Sequence, residues 1–410
     1  MHSQRVGVTG LGTASPHGDD LETLFDALMR GESAIHPVFP ELPKPAAAAT
    51  VAFDASRWFT KLQLAGVDRV SQLAVAAVDL AMKDAGLENV GRSGSVAPER
   101  IGVFAGCGMG GAAALEAAYR SGGRVPPLTI PSFMPNAPAS HVAMRQNAQG
   151  PVLTYSVACA SSSVAIAEAA KAVSRGEVDI AIAGGSEALI VPGVVLAWQA
   201  MQTLAGFEPG EAARAVRPFA ADRSGFALGE GAAFLILESE QHARARGARS
   251  YATLAGWGGS CDATHLTKPD AQGQARALRM ALRQAGLSPE DVGYCNAHGT
   301  ATRIGDAVES DALAAVWGDA LDRLQVSSTK ALHGHLLGAA GALEALITVL
   351  ALYRRQLPPN ANCEAIDADC RLNLVPAGGA AAPDLRAAIS SSFAFGGTNS
   401  VLLFTQPSPA

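Results

Sequence analysis

Charge is scarce in this sequence. Asp, Glu, Lys and Arg make up 17% of its 410 residues, against 49% hydrophobic ones. A disordered or coiled-coil chain needs the reverse balance, so both are excluded and long stretches must be buried. Lys and Arg form no long run, and the formal net charge is −6. A nucleic-acid binder would need a basic stripe. The six cysteines are Cys107, Cys159, Cys261, Cys295, Cys363 and Cys370. They include no CxxC pair and no His/Cys cluster at zinc-finger spacing, so no metal site is expected. They read as free thiols in a reducing compartment, and a cytoplasmic protein is expected. Residues 1–10 lack a basic start followed by an apolar core, so no secretion signal is expected. The longest apolar stretch, Leu336 to Tyr353, is almost long enough to span a membrane. Glu344 interrupts it and it is rich in Gly and Ala, so a buried core helix is the expectation, with no membrane span.

What is present is a repeating pattern. Arg5–Thr9, Ile101–Ala105, Val152–Val157, Asp179–Ala183 and Ala233–Glu238 have strand composition. So do Tyr251–Gly256, Gly293–Asn296, Leu324–Ser328 and Ser400–Phe404. Many are followed by Gly-rich turns and Ala-rich helical segments, which predicts an α/β fold with a largely parallel sheet. The length suits two domains or one duplicated unit. Rough counterparts between the two sets of strands suggest a duplication with its junction near residue 249. No flexible linker marks that junction, so the halves should pack as one body. Pro126 to Pro138, with five prolines, is expected as an irregular surface or interface loop. Gly10-Leu11-Gly12 after the first strand lacks the third glycine of a dinucleotide fingerprint, since Ser15 stands there. A tight turn is the better reading.

One strand runs into a candidate nucleophile. Val152 to Val157 leads to Ala158-Cys159-Ala160-Ser161, and Val164–Val173 is helical in composition. Cys159 therefore sits at a helix entrance, where unpaired N–H groups and the helix dipole favour a thiolate. The competing reading is a small buried hydrophobe. Cys107, within Gly-Cys-Gly-Met-Gly-Gly, is a rival nucleophile, and Cys295 lies inside a strand. Two His-bearing loops follow strands at their carboxyl ends, where α/β folds place their sites. One is Asn296-Ala-His298-Gly-Thr300-Ala-Thr302, and the other is Lys330-Ala-Leu-His333-Gly-His335.

These residues resemble the elongating β-ketoacyl-acyl-carrier-protein synthases, the condensing enzymes of fatty-acid and type II polyketide assembly. The resemblance covers about Val6 to Phe404. It rests on four ordered segments: Ala158-Cys159-Ala-Ser-Ser, Asn296-Ala-His298-Gly-Thr300, Ser328-Thr-Lys330 through Gly334-His335 to Gly341, and Phe393-Ala-Phe395-Gly-Gly-Thr-Asn399. It implies a thiolase fold of two βαβαβαββ halves, residues 1–248 and 249–410, in a five-layered αβαβα arrangement. It also implies catalysis by Cys159, His298, His335 and Lys330. Cys159 would carry the acyl chain. The histidines would bind the thioester carbonyl of a malonyl extender as it loses carbon dioxide. Phe395 would be the gate and, with Cys159, supply oxyanion N–H groups. Thr300 and Thr302 would support the site, and Met109 and Phe133 would line the acyl pocket. No cofactor is implied, because substrates arrive on the phosphopantetheine arm of acyl carrier protein. That protein is the expected partner, beside a homodimer or a heterodimer with a chain-length-factor-like subunit.

Glu344 is the only charge in its apolar helix and needs a partner, for which Lys330 is the candidate. Departures from the family pattern fall at Ala394 (usually Gly), Arg303 (usually Pro), Ala220 and Ser224 (usually Asp), and His333. They point to a specialised fatty-acid or polyketide pathway, and a flexible Met109 in the acyl pocket would admit a long or polyene chain. No basic patch for an acidic carrier protein stands out; Arg69, Arg124 and Arg303 are candidates by position only. A coenzyme A-dependent thiolase is the weaker alternative, since Phe393-Ala-Phe395-Gly-Gly lacks a second catalytic Cys. A non-catalytic partner subunit would lack the nucleophile that Cys159 provides.

Overall fold

The computed structural model describes residues 4–407. Its main sheet has eleven strands. In chain order they are β1 (Val6–Ala14), β2 (Ile101–Gly106), β3 (Val152–Tyr155), β4 (Ile180–Glu187), β5 (Gly231–Ser239), β6 (Ala252–Cys261), β7 (Tyr294–Asn296), β8 (Gln325–Ser327), β9 (Asn373–Leu374), β10 (Ala387–Phe393) and β11 (Thr398–Thr405). Their spatial order is β9-β8-β7-β10-β11-β6-β1-β5-β4-β2-β3. The run β3-β2-β4-β5-β1 is matched by β8-β7-β10-β11-β6, parallel in its outer part and antiparallel in its inner part. The two runs join through the antiparallel pair β1–β6. The sheet is therefore mixed, and the expected largely parallel sheet holds only toward its two ends.

All nine expected strands are present. Sequence composition missed two strands of this sheet, the two-residue β9 and β10, Ala-Ala-Ile-Ser-Ser-Ser-Phe, which is buried along its whole length. Its three serines are polar in sequence, yet it lies in the interior, bonded to β7 and β11. The proline-rich segment is also more ordered than expected. It holds the short helix Thr129–Phe133 and, after Met134, the start of a ten-residue helix whose first turn contains Pro138. Proline is at home in a first turn, where its missing N–H is not needed.

Helices form three layers around two layers of strands. On one outside face, α1 (Arg69–Asp84) packs on β1 and β5 and against α2 (Ala137–Gln146). On the other, α4 (Ala271–Ala285) packs on β6 and β11 and against α5 (Arg303–Trp317). Between the strand layers lie α3 (Ser161–Ser174) and α6 (Ala340–Arg354). Helix α6 is buried through Leu352, as a helix apolar on every face must be. The span Leu337–Arg354 is long and apolar enough to cross a membrane, but 89% of it is buried within the protein. It is the expected core helix.

The two central helices bring the site together. Small residues let them approach closely: a Cβ at Gly341 would lie 2.8 Å from the Ser163 side chain. The first turn of α6 has no cap of its own. Ser162 Oγ on α3 accepts the Ala342 N–H at 2.8 Å instead. A Cβ at Gly106 would meet the Ser162 backbone at 2.2 Å, so β2 can lie flat against the start of α3 only as glycine. These contacts set the N-termini of α3 and α6 side by side. Cys159 precedes the first and His335 precedes the second.

Candidate active site

Cys159 lies in the single turn Ala158–Ala160 between β3 and α3. Ala158 has a φ of 49°, a left-handed conformation that Ala seldom adopts. Leu337, two residues after His335, has 47°, and Ala301, beside Thr300, has 59°. Such residues persist only where their surroundings hold them, and here all three flank the candidate site residues.

His335 Nε2 is 3.1 Å from Cys159 Sγ. Its other nitrogen, Nδ1, accepts the Leu337 N–H at 3.3 Å. That bond leaves Nδ1 unprotonated, so in the neutral ring Nε2 carries the proton and is a donor. The backbone of His335 is pinned on both sides. Its N–H donates to Ala227 O at 2.8 Å, and its carbonyl accepts the Gly229 N–H at 2.9 Å. His298 faces His335 edge-on, with ring centroids 5.5 Å apart. Its loop is fixed by Glu309 on α5, whose carboxylate accepts the N–H groups of His298 and Gly299 at 2.8 and 2.7 Å. His298 Nδ1 is buried with no hydrogen-bond partner among the described residues.

Donor atoms of Cys159, His298 and His335 lie within 4.8 Å of one another, a spacing that could hold a soft metal ion. The Leu337 bond argues otherwise. A ligating Nε2 needs its proton on Nδ1, and Nδ1 here is an acceptor.

Lys330 and Glu344 form an ion pair with both side chains fully buried. Burial pushes the Glu344 carboxyl up to about 7, opposed by the Lys330 ammonium. Burial also holds both site histidines well below the ordinary imidazole value, and the nearby Lys330 charge adds to this. Both rings are thus neutral donors rather than cations. His333 is a different case. Its Nδ1 bonds Gly334 O at 2.8 Å and its Nε2 bonds Thr329 Oγ1 at 2.9 Å. It is a satisfied core histidine, pushed down to about 3 chiefly by burial.

The helix entrance does not by itself make Cys159 a thiolate. Burial pushes its thiol up to about 12, ahead of the opposing pull of Lys330 and of the Phe395 and Cys159 N–H groups. In the empty site the sulfur is a thiol, bonded to His335.

A cavity of about 500 Å³ opens onto Cys159, His298 and His335, with Thr300 and Thr302 on its wall and Arg303 among its lining residues. The two threonine hydroxyls are 3.0 Å apart. Phe395 also lines it, and its ring stacks on Trp198 at 6.2 Å. A second cavity of about 580 Å³ is lined by Met109 and Phe133 with Ala112, Val191 and Val194. Cys159 belongs to the apolar cluster that includes Ala112, Val191 and Val194, so the sulfur stands between the two spaces. Cys107 is buried, pushed well up by burial and by Glu187, and Cys295 is likewise core.

The sequence matches "Beta-ketoacyl synthase, N-terminal domain" over residues 3–243 and "Beta-ketoacyl synthase, C-terminal domain" over residues 251–364. The chain belongs to the beta-ketoacyl synthase family. Like other beta-ketoacyl synthases it is a condensing enzyme of the transferase class with the thiolase fold. It is 41% identical to nodulation protein E of Rhizobium meliloti over 98% of this chain and 99% of that one. It is 36% identical to 3-oxoacyl-[acyl-carrier-protein] synthase 2 of Staphylococcus aureus, over 98% of each. A beta-ketoacyl synthase from Burkholderia phymatum superposes with a TM-score of 0.90 at 34% identity, covering 99% of this chain and all of that one. The ishigamide ketosynthase/chain length factor gives the same TM-score and coverage at 32% identity.

Against this beta-ketoacyl synthase frame, the structure gathers Cys159, His298, His335, Phe395, Thr300 and Thr302 around one cavity, with Lys330 and Glu344 buried behind them. Met109 and Phe133 meet in the other. Arg69 is a correction. Its guanidinium makes two bonds to Glu230, at 2.6 and 2.9 Å, and one to Val51 O, so it is not free to meet a carrier protein. Sequence reasoning missed Glu309, Trp198 and Glu187. Glu187 closes an otherwise uncharged strand, the same signal that singled out Glu344, whereas Glu309 shares its helix with Asp306 and Asp311. Asp306, in the first turn of α5, is a further buried acid. It accepts the Phe219 N–H at 2.7 Å and lies 3.8 Å from the buried Arg223, which bonds Asp367 at 2.6 Å.

Proposed function

We propose that the chain performs decarboxylative Claisen condensation between an acyl group on Cys159 and a malonyl group carried by acyl carrier protein. The observation that carries this is the triad itself. A buried thiol is bonded to one neutral histidine, and a second neutral histidine stands beside it. Acylation forms a thioester at Sγ and passes the thiol proton to the departing carrier thiol, while the His335 Nε2–H donates to the sulfur. The malonyl thioester then occupies the cavity at Thr300 and Thr302. Its carbonyl accepts from His298 and His335 while carbon dioxide leaves. Two neutral donors stabilise the enolate oxygen as charge develops there. The enolate carbon attacks the acyl carbonyl, whose oxygen is held by the Cys159 and Phe395 N–H groups. The Cys159 sulfur leaves, and a β-ketoacyl chain remains on the carrier protein. Phe395, stacked on Trp198, is the gate between the extender cavity and the Met109–Phe133 acyl pocket. In this reading residues 1–248 carry the nucleophile and residues 249–410 the two histidines, in the cytoplasm and with no cofactor beyond the carrier's arm. A specialised pathway remains the reading of Ala394 and Arg303.

Incubation with acyl carrier proteins bearing different chains should give a stable mass adduct on the intact enzyme, absent in Cys159→Ala. The preferred chain names the substrate. An adduct that survives Cys159→Ala would remove the nucleophile assignment.

A paired assembly is part of the same reading, with a second copy or with a chain-length-factor-like subunit. Strand β3 ends the main sheet, and Val152 and Leu153 are exposed on it. Tyr119 (91% exposed) and Ile130 (64% exposed) add to this apolar surface. An open strand edge with exposed apolar side chains is a pairing surface. Leu153→Asp should shift the sedimenting species toward one chain. An unchanged mass would place the interface elsewhere. The relatives that include chain-length-factor complexes favour co-purification from the native host as the test between the two partners.

A further inference from the structure

Glu187 ends β4 and is fully buried, yet it has no part in the chemistry above. Among the described residues no cation stands against its carboxylate. It accepts backbone N–H groups instead: Gly108 at 2.7 Å, Gly338 at 3.0 Å and Met109 at 3.3 Å. The Cys107 thiol lies 3.8 Å away. Gly108 and Gly338 share the oxygen Oε2, while Met109 and Cys107 face Oε1. The fit is close. A Cβ at Gly108 would lie 2.5 Å from Oε2 and one at Gly338 would lie 2.4 Å from it.

The two ends of this clamp belong to different parts of the reaction. Met109 lines the acyl pocket. Gly338 follows Leu337, whose N–H fixes the proton of His335 on Nε2. Leu337 is in the left-handed conformation, so its turn needs external support, and the Gly338 bond to Glu187 supplies it.

We propose that Glu187 is a positioning residue that ties the wall of the acyl pocket at Met109 to the setting of His335, so that an acyl chain in the pocket changes the rate of malonyl decarboxylation. This rests on the condensing reading above. A chain entering the pocket presses on Met109. The Met109 N–H bond is the longest of the three N–H bonds and gives first. The carboxylate then settles on Gly108 and Gly338 and tightens the turn that orients His335. Extender chemistry is thereby favoured on the loaded enzyme, where it is productive.

The test compares two adducts of the full-length enzyme at Cys159. Iodoacetamide leaves the acyl pocket empty, whereas N-octyl iodoacetamide fills it. Carbon dioxide release from malonyl-acyl carrier protein is measured for each. In the unmodified sequence the octyl adduct should be at least threefold faster than the short one. In Glu187→Gln the amide oxygen can keep Gly108 and Gly338, but the amide nitrogen cannot accept from Met109. The ratio should fall to one. A loss of folded protein lowers both rates equally and leaves the ratio unchanged, so a merely structural role predicts no change. Should Glu187→Gln fail to fold, Met109→Ala removes the side chain that feels the acyl group and should also bring the ratio to one. A wild-type ratio of one, or a threefold ratio retained in Glu187→Gln or in Met109→Ala, overturns the proposal. Absence of carbon dioxide release from every form would instead sink the condensing reading.

Discussion

Lys330→Ala should lower condensation about 100-fold, the scale of removing one preorganised charge-stabilising group. Lys330 is fully buried against Glu344, and its charge is felt at Cys159, His298 and His335. Without it the thiol loses the largest of the influences that oppose burial. Stability should fall as well. Breaking a buried ion pair by removing one partner costs about 3–5 kcal/mol, because the remaining charge is stranded. The pH dependence separates this from a loss of packing. Glu344 is already raised to about 7 with Lys330 present, and burial would raise it further without the ammonium. A carboxyl raised above its unfolded value stabilises the fold less as pH rises toward the folded value. Both proteins share that loss up to about pH 7. Above it only the variant continues to lose, so its deficit in urea should widen between pH 7 and pH 9. Lys330→Met combined with Glu344→Leu should recover stability, since an apolar pair of similar size removes the stranded charge, but it should not recover condensation. Near-normal activity in Lys330→Ala would remove Lys330 from the catalytic set.

Replacing His298 by alanine should cut carbon dioxide release from malonyl-acyl carrier protein about 100-fold or more, while acylation of Cys159 continues. His298 faces the cavity and His335, but only His335 bonds the thiol. His335→Ala should therefore slow both half-reactions. Equal effects of the two variants on acylation would contradict the division of roles. The pH profile gives an independent check. Burial and Lys330 keep both rings neutral, so imidazolium formation is deferred to lower pH. An unshifted histidine would be mostly protonated at pH 6, and its neutral form would fall about fourfold relative to pH 8. Decarboxylation should instead be nearly unchanged between those values. An acid limb centred near 6.5 would show that the rings titrate as exposed histidines.

Physical reasons separate what was readable in advance from what was not. Cys159 and the two His loops were readable because each follows a strand of recognisable composition, a local property, whereas the gate segment follows the unread strand β10 and was legible only through the family resemblance. The apolar helix with one acid identified the Lys330–Glu344 pair, because burying a lone carboxylate is prohibitive. The same logic applied to Glu187 and Glu309, but Glu187 ends a short strand rather than sitting in a long apolar helix, and Glu309 lies between Asp306 and Asp311 on its helix. Their burial arises only when distant loops close over them. Strand β10 was missed because its serines are polar in sequence and interior in space, bonded into the sheet on both sides.

The sequence alone therefore determined the α/β class, the order of the chemical groups along the chain and the family to which they belong. Tertiary structure decided their states. The helix entrance favours a Cys159 thiolate, but burial outweighs it and leaves a thiol. A histidine in a loop has an ordinary pKa, and only burial beside Lys330 makes His298 and His335 neutral donors. Arg69 is a free cation on paper and a partner of Glu230 in space. Residue identity fixes which charges exist, whereas their ionisation depends on desolvation and neighbours. Those are set by segments far apart in the chain.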